Sequence, residues 1–577
     1  MTAGVHTTQP YTPEREAPDV AASGVRGSPL VLVGELVLLA VIAVGVRLIG
    51  LDHPAWVDEM NHVLAAQSLV HDGNLQLNGG EPYTRAWLFT YIVAWSFRLF
   101  GETMVAGRIP AVVAGVALAL ALFAWVRSVA GRTAAWTAGL LLAIAPFQIW
   151  ISQSVRFYTI QCLAFFVGAV CCYEAVARGR SRRQVVLLGA GAIVSFLVAY
   201  RLQLISIIGI FAVLVWLVSM VGANWGRWLA RRVAEDRRAA AALSSVVLVV
   251  VILAVLVVRS GLPGAAWELY RHADLWAMDQ KNNFTYYFWQ LQGTYPTVWT
   301  LFPVVLLLAL VRVRRAAALC AVVFGTAFVV LSFGGMKGGR YLSFAMPMFF
   351  ALTGFAVAAL IPWLRARLEW LTNEVFPRAA VSPRRVRLWS SAFLVGIALF
   401  AAVGNNGVAN TISRVAHAGG PRPAADPRYP DWSAAAPTLK NLAESATVVI
   451  SSAELKPLFF IGRQDVELSA TQLYDVGKDA PQFSIQRKYH LPVISTPDAL
   501  RLLMQCEASG LVIVEGAQWN VDWQVPPAAS DFIAEHMEQV PVDERWGFRV
   551  FRWRTPDPVK GEACPEVGPG ASRAHGA

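Results

Sequence analysis

Residues 30–50 read LVLVGELVLLAVIAVGVRLIG, with Glu35 and Arg47 as the charged positions. As a helix rising 1.5 Å per residue, such a run covers the roughly 30 Å hydrocarbon core of a bilayer. It is long for a secretory h-region, and no small-x-small cleavage site follows, so it is read as a retained anchor. Directly after it comes LDHPAWVDEMNH, residues 51–62, which places Asp58 and Glu59 just beyond the end of a span.

Working outward, ten further apolar runs have comparable character: Arg108–Val126, Thr133–Ile151, Thr159–Ala177, Val185–Ala199, Leu202–Val221, Leu243–Val258, Val298–Leu310, Ala316–Phe333, Tyr341–Leu364 and Leu388–Val403. The chain of 577 residues is 56% hydrophobic and 15% charged. An ordinary soluble chain carries about 25% charged residues, so much of this one needs lipid as its solvent. The net charge of +11 sits mostly in short loops, as membrane orientation requires, and does not indicate a nucleic-acid partner. Loops 127–132, 178–184, 222–240, 312–315 and 363–387 hold 20 Arg in about 61 residues, which makes them cytoplasmic. The N-terminus is then inside and everything after Val403 outside. The short aromatic segment AWLFTYIVAWSFRLF, residues 86–100, would invert every later loop if it crossed, so it is expected as an interfacial helix on the outer face.

The expected architecture is a polytopic α-helical membrane protein of about 11 spans. Residues 1–29 form a disordered cytoplasmic N-terminus, 30–403 a transmembrane catalytic module with outer loops 51–106 and 260–297, and 404–577 an extracytoplasmic tail. In that tail, ATVVIS, LPVIS and GLVIVEG alternate with helix-like stretches, which suggests a small α/β domain. It lacks a G-x-G-x-x-G after its first strand. Cys506 and Cys564 lie in it, where a disulfide can form, although sequence does not show them to be close.

Three outer turns carry ionisable residues, which are costly near a membrane and therefore functional candidates. Asp58 and Glu59 open an amphipathic stretch; the plain alternative is an N-cap at Asp58 with Glu59 in the first turn. Asp58 and His62 have the spacing of a metal pair on one helix face, without a second ligand cluster. The second turn is SQSVRFY, with Arg156 and Tyr158. The third is FGGMKGGRY, with Lys337, Arg340 and Tyr341 among four glycines, a composition suited to phosphate. Arg85 joins them on the same face. Trp267 and Tyr270 begin an aromatic-rich stretch that either stacks on a sugar or belongs to the interfacial belt.

Taken in order, Trp56-Val-Asp58-Glu59, LFGE at 99–102, GRIPA at 107–111, SQSVRFY at 152–158 and GRY at 339–341 resemble the GT-C membrane glycosyltransferases. More narrowly they resemble family 39, the protein O-mannosyltransferases and aminoarabinose transferases, over roughly Leu30 to Leu364. The resemblance implies a GT-C fold and transfer of a single sugar from a polyprenyl-phosphate donor to an acceptor hydroxyl of a protein, lipid or cell-envelope glycan, at the outer face of a plasma membrane. A phosphate leaving group departs without protonation, so one carboxylate acting as general base suffices. Asp58 is the candidate, with inversion at the anomeric carbon, and Glu59 orients the acceptor or Asp58 itself. Arg85, Arg156, Tyr158, Lys337, Arg340 and Tyr341 are the expected phosphate ligands; His62, Trp267 and Tyr270 are weaker candidates for acceptor or sugar. No cofactor is expected. Thr84 stands where the aminoarabinose transferases have an acidic residue, which argues against a divalent metal there, although Glu81 is three residues away. The competing readings are a transporter or flippase of lipid-linked sugars, which should carry charges deep in several spans, and a non-catalytic scaffold.

Overall fold

The computed structural model describes residues 29–178, 180–235, 259, 261–273, 275–375, 404–417, 429–477, 480–486, 489–561 and 564–567. Among these, six helices are long and apolar enough to cross a membrane: Pro29–Leu48, Met104–Ala130, Tyr158–Ala177, Arg182–Leu202, Arg314–Phe333 and Gly339–Leu364. Arg132–Ile144 and Pro146–Ser152, bent by 59° at their junction, make a seventh if taken together. The bend has a local cause, since Pro146 bars its predecessor from helical backbone and starts the next helix at N1.

This differs from the eleven expected spans. Val298–Leu310 is split into Pro296–Thr300 and Phe302–Arg312, each with a proline in its first turn, and Leu202–Val221 falls on the shorter apolar segment Ser206–Met220. The expected spans at Leu243–Val258 and Leu388–Val403, and the N-terminal 28 residues, lie outside the described residues. The Trp87–Phe100 helix is too short to cross. It buries Phe89, Val93 and Phe97 and exposes Trp87, Tyr91 and Trp95, positions spaced by four on the opposite face.

Small residues let the spans approach. A Cβ on Gly354 would stand 2.5 Å from the Ala134 carbonyl oxygen, so the Met346–Val375 helix packs backbone to backbone on Arg132–Ile144. At one end of the bundle, Glu35 pairs with Arg127 and Arg132. Near the other end, buried Arg47 donates to the carbonyls of Ala43 (3.1 Å) and Ala143 (2.9 Å) and to Ser152 Oγ (3.2 Å). A guanidinium at membrane depth is tolerated when its donors are used this way.

Residues 432–554 build a mixed seven-stranded sheet. Its strands are β1 (Val448–Ser451), β2 (Val466–Leu468), β3 (Ser484–Gln486), β4 (Leu491–Ile494), β5 (Ser509–Glu515), β6 (Glu538–Val540) and β7 (Phe548–Arg554), in the order β3-β4-β2-β1-β5-β7-β6. The inner strands β4, β2, β1 and β5 are parallel. All four are buried because both faces of the sheet are covered, and they are mainly apolar apart from Glu467 in β2 and the end residues of β1 and β5. Val448, Ile450 and Val512 face the Pro497–Cys506 and Pro527–His536 helices; Val449, Leu511 and Ile513 face Trp432–Glu444. Cys506 and Cys564 form a disulfide. Leu455, Tyr489 and Leu491 belong to the same buried cluster as the membrane helices, so the unit is docked on the Asp58 end of the bundle through apolar packing.

Candidate active site

The helix Val57–His71 has Trp56 as its N-cap, two positions earlier than an Asp58 N-cap would give, so Asp58 has its side chain available. Its Oδ2 lies 3.4 Å from Arg340 Nη1 and 3.6 Å from Arg156 Nη2. Arg156 also donates Nη1 to the Asp58 carbonyl at 2.7 Å and Nη2 to the Tyr158 hydroxyl at 3.2 Å. Arg340 lies between aromatic faces, with its guanidinium carbon 5.1 Å from the Trp56 ring centre and 5.2 Å from that of Tyr341. The Asp58 side chain is 32% exposed while that of Arg156 is 2% exposed. One accessible carboxylate is therefore held against two oriented guanidinium groups.

Glu59 does something different. Neither it nor Arg108 is exposed, and the two meet in a two-pronged pair, Nε to Oε1 at 3.0 Å and Nη2 to Oε2 at 2.9 Å. The amides of Val155 (2.6 Å) and Trp56 (2.9 Å) fill the remaining acceptor sites, and Arg108 Nη1 binds the carbonyls of Leu51 and His53. Burial pushes the Glu59 carboxyl up, Arg108 pulls it down, and the net is below the ordinary glutamate value. Glu59 cannot meet an acceptor; of its two expected roles only the orientation of Asp58 fits. It ties the first loop, the SQSVRFY turn and the Met104–Ala130 helix together.

Other expected site residues are also placed otherwise. His62 is fully buried, with Nδ1 2.9 Å from Thr90 Oγ1 and the Tyr83 hydroxyl 3.4 Å from Nε2. Burial, with Arg156 and Arg85 nearby, holds its pKa well below the ordinary histidine value, so it is a neutral core residue and no ligand for acceptor or sugar. Lys337 spends its ammonium on the carbonyls of Leu331 (3.5 Å), Ser332 (2.7 Å) and Gly334. It caps the Arg314–Phe333 helix instead of facing a phosphate. The turn glycines serve packing too: a Cβ on Gly335 would collide with the Arg271 carbonyl oxygen. Tyr270 hydrogen-bonds the Val330 carbonyl and Trp267 pairs with Tyr270 and Arg271, so both belong to the anchoring of that turn. Arg85 is exposed, 5.9 Å from the Phe157 ring centre, at the margin of the cluster. Among the described residues no group of three or more His, Cys, Asp or Glu is arranged to hold a metal ion.

No protein-family model and no curated protein matches the sequence. Solved structures do match its fold. The structure of ArnT from Cupriavidus metallidurans bound to undecaprenyl phosphate superposes with a TM-score of 0.58 at 16% identity, over 91% of this chain and 98% of that one. The archaeal oligosaccharyltransferase AglB from Archaeoglobus fulgidus, in complex with an inhibitory peptide and a dolichol-phosphate, gives 0.53 at 14% identity over 84% and 69%.

This chain has the GT-C fold. It is a polytopic helical membrane protein, and the superposition with ArnT covers 91% of this chain. Within this GT-C chain, Arg108 is the structural residue that sequence reading passed over. The available signal was a charge near the start of a largely apolar helix, within the GRIPA stretch at 107–111.

Proposed function

We propose that the protein is a polyprenyl-phosphate-dependent glycosyltransferase that moves one sugar onto an acceptor hydroxyl with inversion. The observation that carries this reading is the Asp58 carboxylate held between Arg156 and Arg340 at one end of a GT-C bundle. ArnT, a structure of the same fold, binds undecaprenyl phosphate.

The arrangement suggests an order of events. Asp58 is engaged by the two guanidinium groups. A donor phosphate competes for those donors, since guanidinium binds phosphate in two-pronged fashion. That frees the carboxylate to accept the acceptor's proton. The acceptor oxygen then attacks the anomeric carbon from the face opposite the phosphate, and its O–H proton passes to Asp58. The bond from that carbon to the phosphate oxygen breaks, and its electron pair leaves with the polyprenyl phosphate. The arginines stabilise the second negative charge that the phosphate gains. Domain limits follow the same reading: a catalytic module up to residue 403, and an extracytoplasmic α/β unit with its tail beyond.

The test is carrier release from a panel of polyprenyl-phosphate sugars by protein in liposomes, comparing wild type with Asp58→Asn and Arg340→Ala. Release by wild type alone, with all three folded, supports the assignment. Donor movement across the bilayer without carrier release would favour a flippase and overturn it.

A further inference from the structure

A cleft of about 200 Å³ lies where the α/β unit meets Trp56 and Val57. Its floor is made near the carboxyl ends of parallel strands: Ser452 follows β1, Glu467 lies within β2 and Ser469 follows it, and Glu515 ends β5. The chain leaves β1 toward β2 and β4, then returns across the sheet to β5 on the other side of β1. The cleft therefore sits at the point where strand order reverses, the position at which open parallel sheets take up ligands.

Its chemistry narrows what fits. Three carboxylates, Glu454, Glu467 and Glu515, face one ammonium, Lys456, a balance that disfavours phosphates and other anions. The polar groups are fixed in place. Glu515 Oε1 accepts from Lys456 Nζ and Trp432 Nε1, both at 2.7 Å, and its Oε2 from Gln518 Nε2 at 3.2 Å. Glu454 accepts from the Tyr489 hydroxyl at 2.6 Å and from Gln472 Nε2 at 3.1 Å. Carboxylate, amide and hydroxyl groups set side by side match vicinal hydroxyls, which both donate and accept. Aromatic surface completes the lining, from Trp56 and from Tyr429, which is 46% exposed; such faces suit the C–H face of a sugar ring. A peptide bound by strand addition needs an open sheet edge, whereas the cleft is formed by strand ends.

We infer that this cleft binds a neutral, polyhydroxylated acceptor, the end of a glycan, and delivers its hydroxyl to Asp58. The inference rests on the glycosyl-transfer reading. Trp56 links the two places: it lines the cleft, stacks on Arg340, and is two residues before Asp58. The preset polar wall spares the ordering cost of binding.

The full-length protein in nanodiscs should bind at least one member of a panel of neutral di- to tetrasaccharides without any donor. Tyr429→Ala and Gln518→Ala should each weaken that binding roughly fivefold or more, the effect of one lost stacking or hydrogen-bond partner. Tyr429 is exposed enough that its truncation does not threaten folding. No saccharide bound, or binding by both variants as tight as by wild type, would overturn the assignment. Undecaprenyl phosphate binding to the same wild-type sample reports on glycosyl transfer separately. Saccharide binding without carrier binding sinks the transferase reading, and carrier binding without saccharide binding sinks the cleft assignment.

Discussion

Asp58 and Glu59 are neighbours in sequence with the same chemical group, and their surroundings separate them. A partly exposed carboxylate facing two guanidinium groups is able to exchange partners; a sealed one with every acceptor site filled is not. Asp58→Asn should reduce carrier release by about 10²–10⁴-fold, the usual worth of a positioned general base, with an unchanged unfolding temperature. Glu59→Gln should instead act on stability. Removing one partner of a buried ion pair costs about 3–5 kcal/mol, read as a lower melting temperature in detergent. The pH dependence has two parts. Glu59 has a depressed folded pKa, so its contribution is present above the unfolded carboxylate value and is lost as pH falls through the folded one. His62 is also depressed, and so is His53 by burial and Arg108. The unfolded chain therefore takes up protons below pH about 6.5 that the folded chain refuses, and stability falls by up to roughly 1.4 kcal/mol per unit for each group. His62→Gln should flatten the melting temperature between pH 6.5 and 5; an unchanged slope would show that His62 does not titrate this way.

At the scale of elements, the turn between the Arg314–Phe333 and Gly339–Leu364 segments explains why composition misleads. Lysine, arginine and four glycines suggest a phosphate cradle. In three dimensions Lys337 closes the end of its own helix, while Arg340, three residues later, reaches Asp58. Lys337→Met should lower the melting temperature and leave donor KM unchanged, whereas Arg340→Lys should raise donor KM, because a lysine cannot reproduce the flat stacking between Trp56 and Tyr341. A rise in donor KM for Lys337→Met would return that residue to the donor site. The proline-initiated helices at 296 and 302 are a second case. Hydropathy reads one run there, because an average over a window is blind to a broken backbone.

For the whole molecule, the Cys506–Cys564 bond closes a separation of 58 residues, which in the loop-entropy account contributes about 4 kcal/mol to the α/β unit. Reduction should lower that unit's unfolding midpoint. In cells, both thiols should resist alkylation until a reductant is added, because such bonds persist outside the cytoplasm; immediate labelling would reverse the proposed orientation of the tail. The sequence by itself determined the membrane class, the start of the first spans, the alternation of strand and helix in the tail and the candidacy of Asp58, Arg156 and Arg340. These are local properties, set by apolar run length, period and the cost of charge at a bilayer. Tertiary structure alone decided that Glu59 seals against Arg108, that His62 and Lys337 turn inward, and that the sheet's strand ends meet Trp56. Each of those outcomes depends on which donor stands opposite which acceptor across tens to hundreds of residues, and no pattern along the chain encodes that distance.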